Sequence, residues 1–225
     1  MLAGKCALIT GSTTGLGYAI AEALAAHGCN IVLNGIVYSS EETKAREKLA
    51  QSSGAGIIYV KADIADPAQI EQLVASAASG FGSIDIVVNN AVVRHFASIE
   101  KLTPAEWDQS LAVNLSAPFH ITRLVLPMMR ARGWGRIFNL SSYYGFRGAE
   151  NRIGYVTTKT ALIGMTRAIA LKQVTWTSPA TRYVPAHCRL QISWRASANS
   201  PPRRTSARRK QRGSISLGGG LLAAS

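Results

Sequence analysis

"ITGSTTGLGYAIAEALAAHG", Ile9 to Gly28, decides the fold. An apolar strand, "CALIT" (Cys6 to Thr10), runs into a loop holding Gly11, Gly15 and Gly17, and a helical pattern follows from Gly15 to about His27. Glycines at a strand-to-helix turn let the backbone come close to a bound pyrophosphate, while the helix turns its free amides and positive dipole end toward the phosphates. The spacing is G-x-x-x-G-x-G rather than G-x-G-x-x-G, and the G-K-[ST] ending of a nucleotide-triphosphate loop is absent. The loop therefore points to a dinucleotide.

The same alternation continues to about residue 170. Short apolar runs "NIVLN" (Asn30 to Asn34), "GIIYVKA" (from Gly56), "IDIVVNN" (Ile84 to Asn90) and "GRIFNLSS" (Gly135 to Ser142) read as strands. Helical patterns lie between them, from Ser40 to about Gln51, Pro67 to about Phe81, Pro104 to about Arg130, and from Tyr155 onward. Ser39 with Glu42 and Thr103 with Glu106 have capping-box spacing, the second with Pro104 at the first helical position. Strands alternating with helices imply βαβ units, so the fold class is α/β: a Rossmann-type, doubly wound parallel sheet with ligands at the carboxyl ends of its strands.

Composition narrows the function classes. The chain has 225 residues, 47% of them hydrophobic, enough for one packed domain. No apolar run reaches the roughly 18 residues of a membrane span and the N-terminus lacks a secretory pattern, so a cytoplasmic protein with no membrane partner is expected. Cys6, Cys29 and Cys188 are too few and too scattered for a disulfide framework or a metal site, and read as small buried hydrophobes. The net charge of +13 suggests nucleic acid until it is located: residues 1–170 hold 15 Lys and Arg against 12 acids, whereas residues 171–225 hold 10 and no acid. The basicity belongs to the tail.

Three features in order are distinctive together: the glycine loop, "NNA" at Asn89 to Ala91, and "YVTTK", which sets Tyr155 and Lys159 one helical turn apart on one face. A free phenol, with a pKa of about 10, is a poor base at neutral pH, and a neighbouring ammonium favours the phenolate, so such a pair makes a usable acid/base. From Leu2 to about Leu171 the combination resembles the short-chain dehydrogenase/reductase family, which uses NAD or NADP. The resemblance implies a catalytic set of Asn114, Ser142, Tyr155 and Lys159. Ser142 would bond the substrate oxygen, Tyr155 would transfer the proton, Lys159 would also bond the nicotinamide ribose, and Asn114 would open its helix and hold a relay water. Ser141 is expected to face the other way, because side chains alternate along a strand. Cofactor contacts are implied at Gly11, Thr13, Gly15, Leu16, Gly17, Asp63, Ile64, Asn90, Ala91, Tyr155 and Lys159. Asp63 would meet the adenine amino group, although an Asp before a helix is also an ordinary turn residue. No arginine follows the second strand in "NGIVYSS", so NAD is favoured over NADP. The resemblance also implies a homotetramer built on the helices around Asn114 and Tyr155.

Within the family, "IEKLTPAEWD" and "NLSAPFH" are most like bacterial-type D-3-hydroxybutyrate dehydrogenases, which hold a small carboxylate with a glutamine, a histidine and a lysine. Arg94, Tyr144 and Arg152 stand at those positions, beside Ser142 and Tyr155, so the substrate-binding set is altered. Val92 stands where the family has a glycine close to the cofactor. After "GMTRAIAL" the resemblance stops. Residues 172–225, including "RRTSARRKQRG", are rich in Arg, Ser and Pro and read as an irregular tail. Back-translating Thr177 to Ser193 with suitable codons and regrouping one base earlier spells I-T-C-N-A-I-C-P-G-T-L-P-T-P-N-I, the strand and Pro-Gly loop that the family has there. A one-base deletion near the Leu171 codon would make the tail out-of-frame text, basic by accident. A nucleic-acid-binding protein using the tail as an electrostatic grip is the alternative.

Overall fold

The computed structural model describes residues 2–174 and 189–195. The strands are β1 (Cys6–Ile9), β2 (Asn30–Gly35), β3 (Ile57–Lys61), β4 (Ile86–Asn89), β5 (Trp134–Leu140) and β6 (Arg189–Arg195). The helices are α1 (Gly15–Ala25), α2 (Ser40–Ser53), α3 (Pro67–Phe81), α4 (Pro104–Leu111), α5 (Ala117–Ala131) and α6 (Ile153–Val174). The sheet order is β3-β2-β1-β4-β5-β6, and the first five strands run parallel. Strand order reverses between β1 and β4, which opens a crevice at their carboxyl ends.

Both faces of the sheet are covered because consecutive strand residues point to opposite sides. Leu8, Val32, Val87 and Ile137 pack with Leu73, Ile121 and Met129 of α3 and α5. Ala7, Ile9, Ile31 and Leu33 pack with Ala21, Ala25 and Leu49 of α1 and α2. Each fully buried Leu or Ile contributes about 1.5–3 kcal/mol, so these layers hold the strand ends that build the crevice. On the second face the cover thins over β5, where Trp134 and Phe138 are only half-buried while Ile137 on the first face is 1% exposed.

Three local features differ from the sequence expectation. The segment from Pro104 to about Arg130 is two helices joined by a π-turn at Ala112–Ser116. Asn114 in that turn accepts the Val93 N–H at 2.9 Å and donates to the Val93 carbonyl at 3.0 Å. The widened turn lets its side chain pair with a backbone as a neighbouring strand would. Thr103 and Glu106 form the full capping box, but Ser39 forms only half of one: it accepts the Glu42 N–H, while the Glu42 carboxylate turns to Arg46 at 3.5 Å. Finally, 189–195, inside the stretch read as an irregular tail, forms β6, antiparallel to β5. Its sequence, "RLQISWR", alternates polar and apolar residues, which suits a strand pairing with the open edge of β5. The rest of that tail, Cys188 and "RRTSARRKQRG" included, lies outside the described residues. Cys6 and Cys29 are buried free thiols, and burial, with Asp85 adding to it, pushes them up to about 12 and about 11. Among the described residues no helix is long and apolar enough to cross a membrane, and no group of three His, Cys, Asp or Glu is placed to hold a metal.

Gly17 is where α1 meets the crevice. A Cβ there would lie 2.4 Å from the Gly11 carbonyl oxygen and 2.6 Å from Asn90 Nδ2. Gly17→Ala is therefore expected to destabilise by about 1–3 kcal/mol, as overpacking against backbone does. Gly164→Ala in α6, where a Cβ meets nothing within 4 Å, should stabilise by up to roughly 1 kcal/mol. Urea unfolding midpoints of the two variants check both signs.

Candidate dinucleotide cleft and proton-transfer site

A polar seam ties the carboxyl ends of four strands. Thr10 Oγ1 accepts the N–H groups of Asn90 at 3.0 Å and Ala91 at 3.1 Å. Asn90 Nδ2 returns two bonds, to the carbonyls of Thr10 at 3.0 Å and Gly11 at 2.8 Å. Ser12 Oγ donates to the Ile9 carbonyl and accepts the Asn34 N–H, and Asn34 Nδ2 reaches the carbonyls of Val60 and Ala62. Backbone groups that lose their ladder partners as the strands end are thus satisfied by side chains. The sequence expectation named Asn90 but missed Thr10, Ser12 and Asn34. The available signal was the polar residue closing the apolar run of β1 and of β2.

A cleft of about 650 Å³ opens above this seam, from the glycine loop past Asn90, Ala91 and Val92 to Tyr155 and Lys159. Gly15 has φ +58° and open space where a side chain would project, and Leu16 beside it is exposed. An open, amide-rich loop at a helix N-terminus fits a pyrophosphate, and the cleft is within the size range of ligand pockets, roughly 300–1,000 Å³. Thr13 sits over the end of β2, its Cγ2 3.5 Å from where a Gly35 Cβ would be. Asp63 and Ile64 are not among the residues bordering the cleft. The Asp63 carboxylate accepts the Ala65 N–H at 2.9 Å, the turn geometry of an ordinary helix entry, and the Ile64 side chain is in the core. Beyond β2, Ile36, Val37 and Tyr38 are exposed, and Lys61 Nζ lies 5.7 Å from the Tyr38 ring centre.

At the other end of the cleft, α6 presents Tyr155 and Lys159. Lys159 is 4% exposed, and its ammonium donates to the Leu140 carbonyl at 2.6 Å and lies 5.7 Å from the Tyr155 ring centre. The Arg94 guanidinium stands 5.6 Å from the same ring. Two cations therefore flank one phenol. Ser141 Oγ donates to the Lys159 carbonyl at 2.7 Å and Ser142 Oγ accepts the Tyr144 N–H at 3.2 Å, so the two hydroxyls take different partners, but it is Ser141 and not Ser142 that borders the cleft. Among the described residues the Ser142 hydroxyl proton has no acceptor. Tyr144 packs edge-on to Tyr155 at 6.5 Å, and Arg152 lies 5.4 Å from the Tyr144 ring. The Asn114 amide bonds Val93 and, at 3.4 Å, Thr158 Oγ1, so it braces the cleft wall next to Val92 and Arg94.

Known proteins place this arrangement. The family described as short chain dehydrogenase matches residues 5–177. D-beta-hydroxybutyrate dehydrogenase of Cupriavidus necator is 43% identical over 173 residues, covering 76% of this chain and 66% of that protein. The enzyme of the same name from Rhizobium meliloti is 40% identical over 168 residues, covering 75% and 65%. The chain thus spans just under two-thirds of the length of these relatives. Among solved structures, a metagenomic short-chain oxidoreductase in complex with NADP superposes with a TM-score of 0.74 at 29% identity, covering 77% of this chain and 78% of that one. L-Sorbose reductase from Gluconobacter frateurii, complexed with NADPH and L-sorbose, also gives 0.74, at 32% identity over 77% of this chain and 65% of that one. With the glycine loop, the Asn90 seam and the Tyr155–Lys159 pair all in one cleft, the chain belongs to the short-chain dehydrogenase/reductase family.

Proposed function

We propose that this chain encodes an NAD-dependent oxidoreductase that interconverts a secondary alcohol and a ketone on a small hydroxy acid. The observation that carries this is the Tyr155 ring at the end of the glycine-loop cleft, with Lys159 and Arg94 beside it. The loop from Gly11 to Gly17 would hold the pyrophosphate, with Asn90 and Ala91 as the floor and Thr13 toward the adenosine side. A bound nicotinamide would exchange hydride with the carbinol carbon. Ser142 donates to the substrate oxygen. Tyr155 takes the hydroxyl proton on oxidation and returns it on reduction, and both cations stabilise the negative charge that develops on the phenol oxygen. Lys159 also positions the ribose, and Asn114 fixes the wall through Val93.

Two relatives resembling this chain are named for D-beta-hydroxybutyrate, which supports a small carboxylate substrate. NAD is preferred because no arginine stands in the stretch "NGIVYSS" that ends β2, and Lys61 at the end of β3 lies 5.7 Å from the Tyr38 ring centre. Two solved neighbours carry NADP or NADPH, so the preference is a direct test. Calorimetry should show tighter binding of NAD than of NADP; the reverse order overturns the assignment.

The region after Leu171 is proposed to be out of frame. The regrouped codons spell a strand and a Pro-Gly loop, and the half-buried Trp134 and Phe138 mark a sheet face with room for more cover. A strand entered by a right-handed crossover from α6 would run parallel to β5, whereas β6 runs antiparallel. The chain as given should therefore turn over D-3-hydroxybutyrate with NAD poorly or not at all, and the chain with the base restored should be active. In that restored chain Tyr155→Phe should lower kcat by about 10²–10⁴ with the fold kept, because only the titrating hydroxyl is lost. Near-normal turnover by the variant would contradict the role of Tyr155, and substantial turnover by the given chain would contradict the frame assignment.

A further inference from the structure

Arg46, Arg123 and Arg132 each lie within 3.3–3.6 Å of a carboxylate oxygen. Arg94 differs: among the described residues it has no ion pair, and its guanidinium carbon stands 5.6 Å from the Tyr155 ring centre. Lys159 Nζ lies 5.7 Å from the same ring. Both cations border the 650 Å³ cleft, and the described residues that border it include no Asp or Glu. Two contacts hold this charge in place. The Lys159 ammonium is bonded to the Leu140 carbonyl at 2.6 Å, and the backbone of Val93, next to Arg94, is gripped by Asn114 at 2.9 and 3.0 Å.

The glycine loop lies at the other end of the cleft, so a dinucleotide whose pyrophosphate rests there brings its nicotinamide toward Tyr155. That ring is cationic when oxidised and neutral when reduced, whereas the pyrophosphate and adenosine are the same in both forms. Fixed positive charge beside it disfavours the cationic form, as one cation disfavours another at any close pair. The guanidinium stays protonated at every working pH, so its contribution is permanent. We infer that Arg94, together with Lys159, makes the cleft select the reduced, uncharged nicotinamide over the oxidised one, so that NADH occupies the chain when both forms are present. This rests on the dehydrogenase assignment of the cleft and adds which redox form it holds.

The test measures the affinities of the full chain for NADH, NAD and ADP-ribose by calorimetry. ADP-ribose lacks the nicotinamide and reads the glycine loop alone. NADH should bind at least about tenfold tighter than NAD, as expected of two unit charges, one of them on a buried side chain. Arg94→Gln should shrink that ratio by about threefold, the scale of one exposed charge at about 6 Å screened by water, with the melting temperature unchanged. Arg94→Lys, which keeps the charge, should retain the ratio. Equal affinities for NADH and NAD beside firm ADP-ribose binding would overturn the inference and leave the dinucleotide cleft standing. A ratio unchanged in Arg94→Gln, or lost as fully in Arg94→Lys as in Arg94→Gln, would also overturn it, because charge at Arg94 would then not be the cause. Failure to bind all three nucleotides would contradict the dehydrogenase assignment and this inference with it.

Discussion

The close approach of the β1 loop to the end of β4 is the constraint on which everything else in this molecule depends. Thr10 and Gly11 meet Asn90 and Ala91 in four hydrogen bonds across the crevice, two accepted by the Thr10 hydroxyl and two donated by the Asn90 amide. Such charge-neutral bonds contribute about 1 kcal/mol each, but leaving any of these backbone groups buried and unpaired would cost more. The seam therefore holds the loop in the shape that only Gly17 can accompany, since any side chain there would enter the space already filled by the Gly11 carbonyl and the Asn90 amide. The dinucleotide cleft is a consequence of that packing, and Tyr155 becomes useful because α6 delivers it to the same crevice.

The far end of the cleft is organised by aromatic rings and cations rather than by buried ion pairs. Tyr155, Tyr144 and Phe96 carry Arg94 and Arg152 on their faces, while Lys159 is pinned to the Leu140 carbonyl. Lys159 and Arg94 thereby bring positive charge to the Tyr155 ring. Asn114 contributes at one remove. By breaking the long helical segment into α4 and α5 it reaches the backbone of Val93 and fixes the loop from which Arg94 projects.

The alternation of strands and helices was legible because parallel strands buried on both faces leave continuous apolar runs, and the glycine loop was legible because few other residues tolerate its close contacts. Tyr155 and Lys159 were legible from their spacing on one helix. The opening of the helix at Asn114 was implied by the family resemblance alone; the periodicity hid it, because a helical period looks the same on either side of Asn114 and the partner, Val93, is 21 residues away. Thr10, Ser12 and Asn34 were overlooked because a polar residue ending a strand is common, and only the three-dimensional ends of neighbouring strands show that these form a seam. The Ser39 cap was overread, since Glu42 has a competing partner in Arg46 one turn on. The alternation in "RLQISWR" was present in the sequence but was masked by the composition of the residues around it.

The central claim is that the loop from Gly11 to Gly17 and the facing Asn90 segment form a working dinucleotide site in this chain. Hydrogen–deuterium exchange with and without saturating NADH reads those amides directly. Slower exchange confined to the β1–α1 loop, the residues following β4, and the Tyr155 end of α6 is the predicted result. Unchanged exchange in the glycine loop, or protection appearing only elsewhere, would contradict the account.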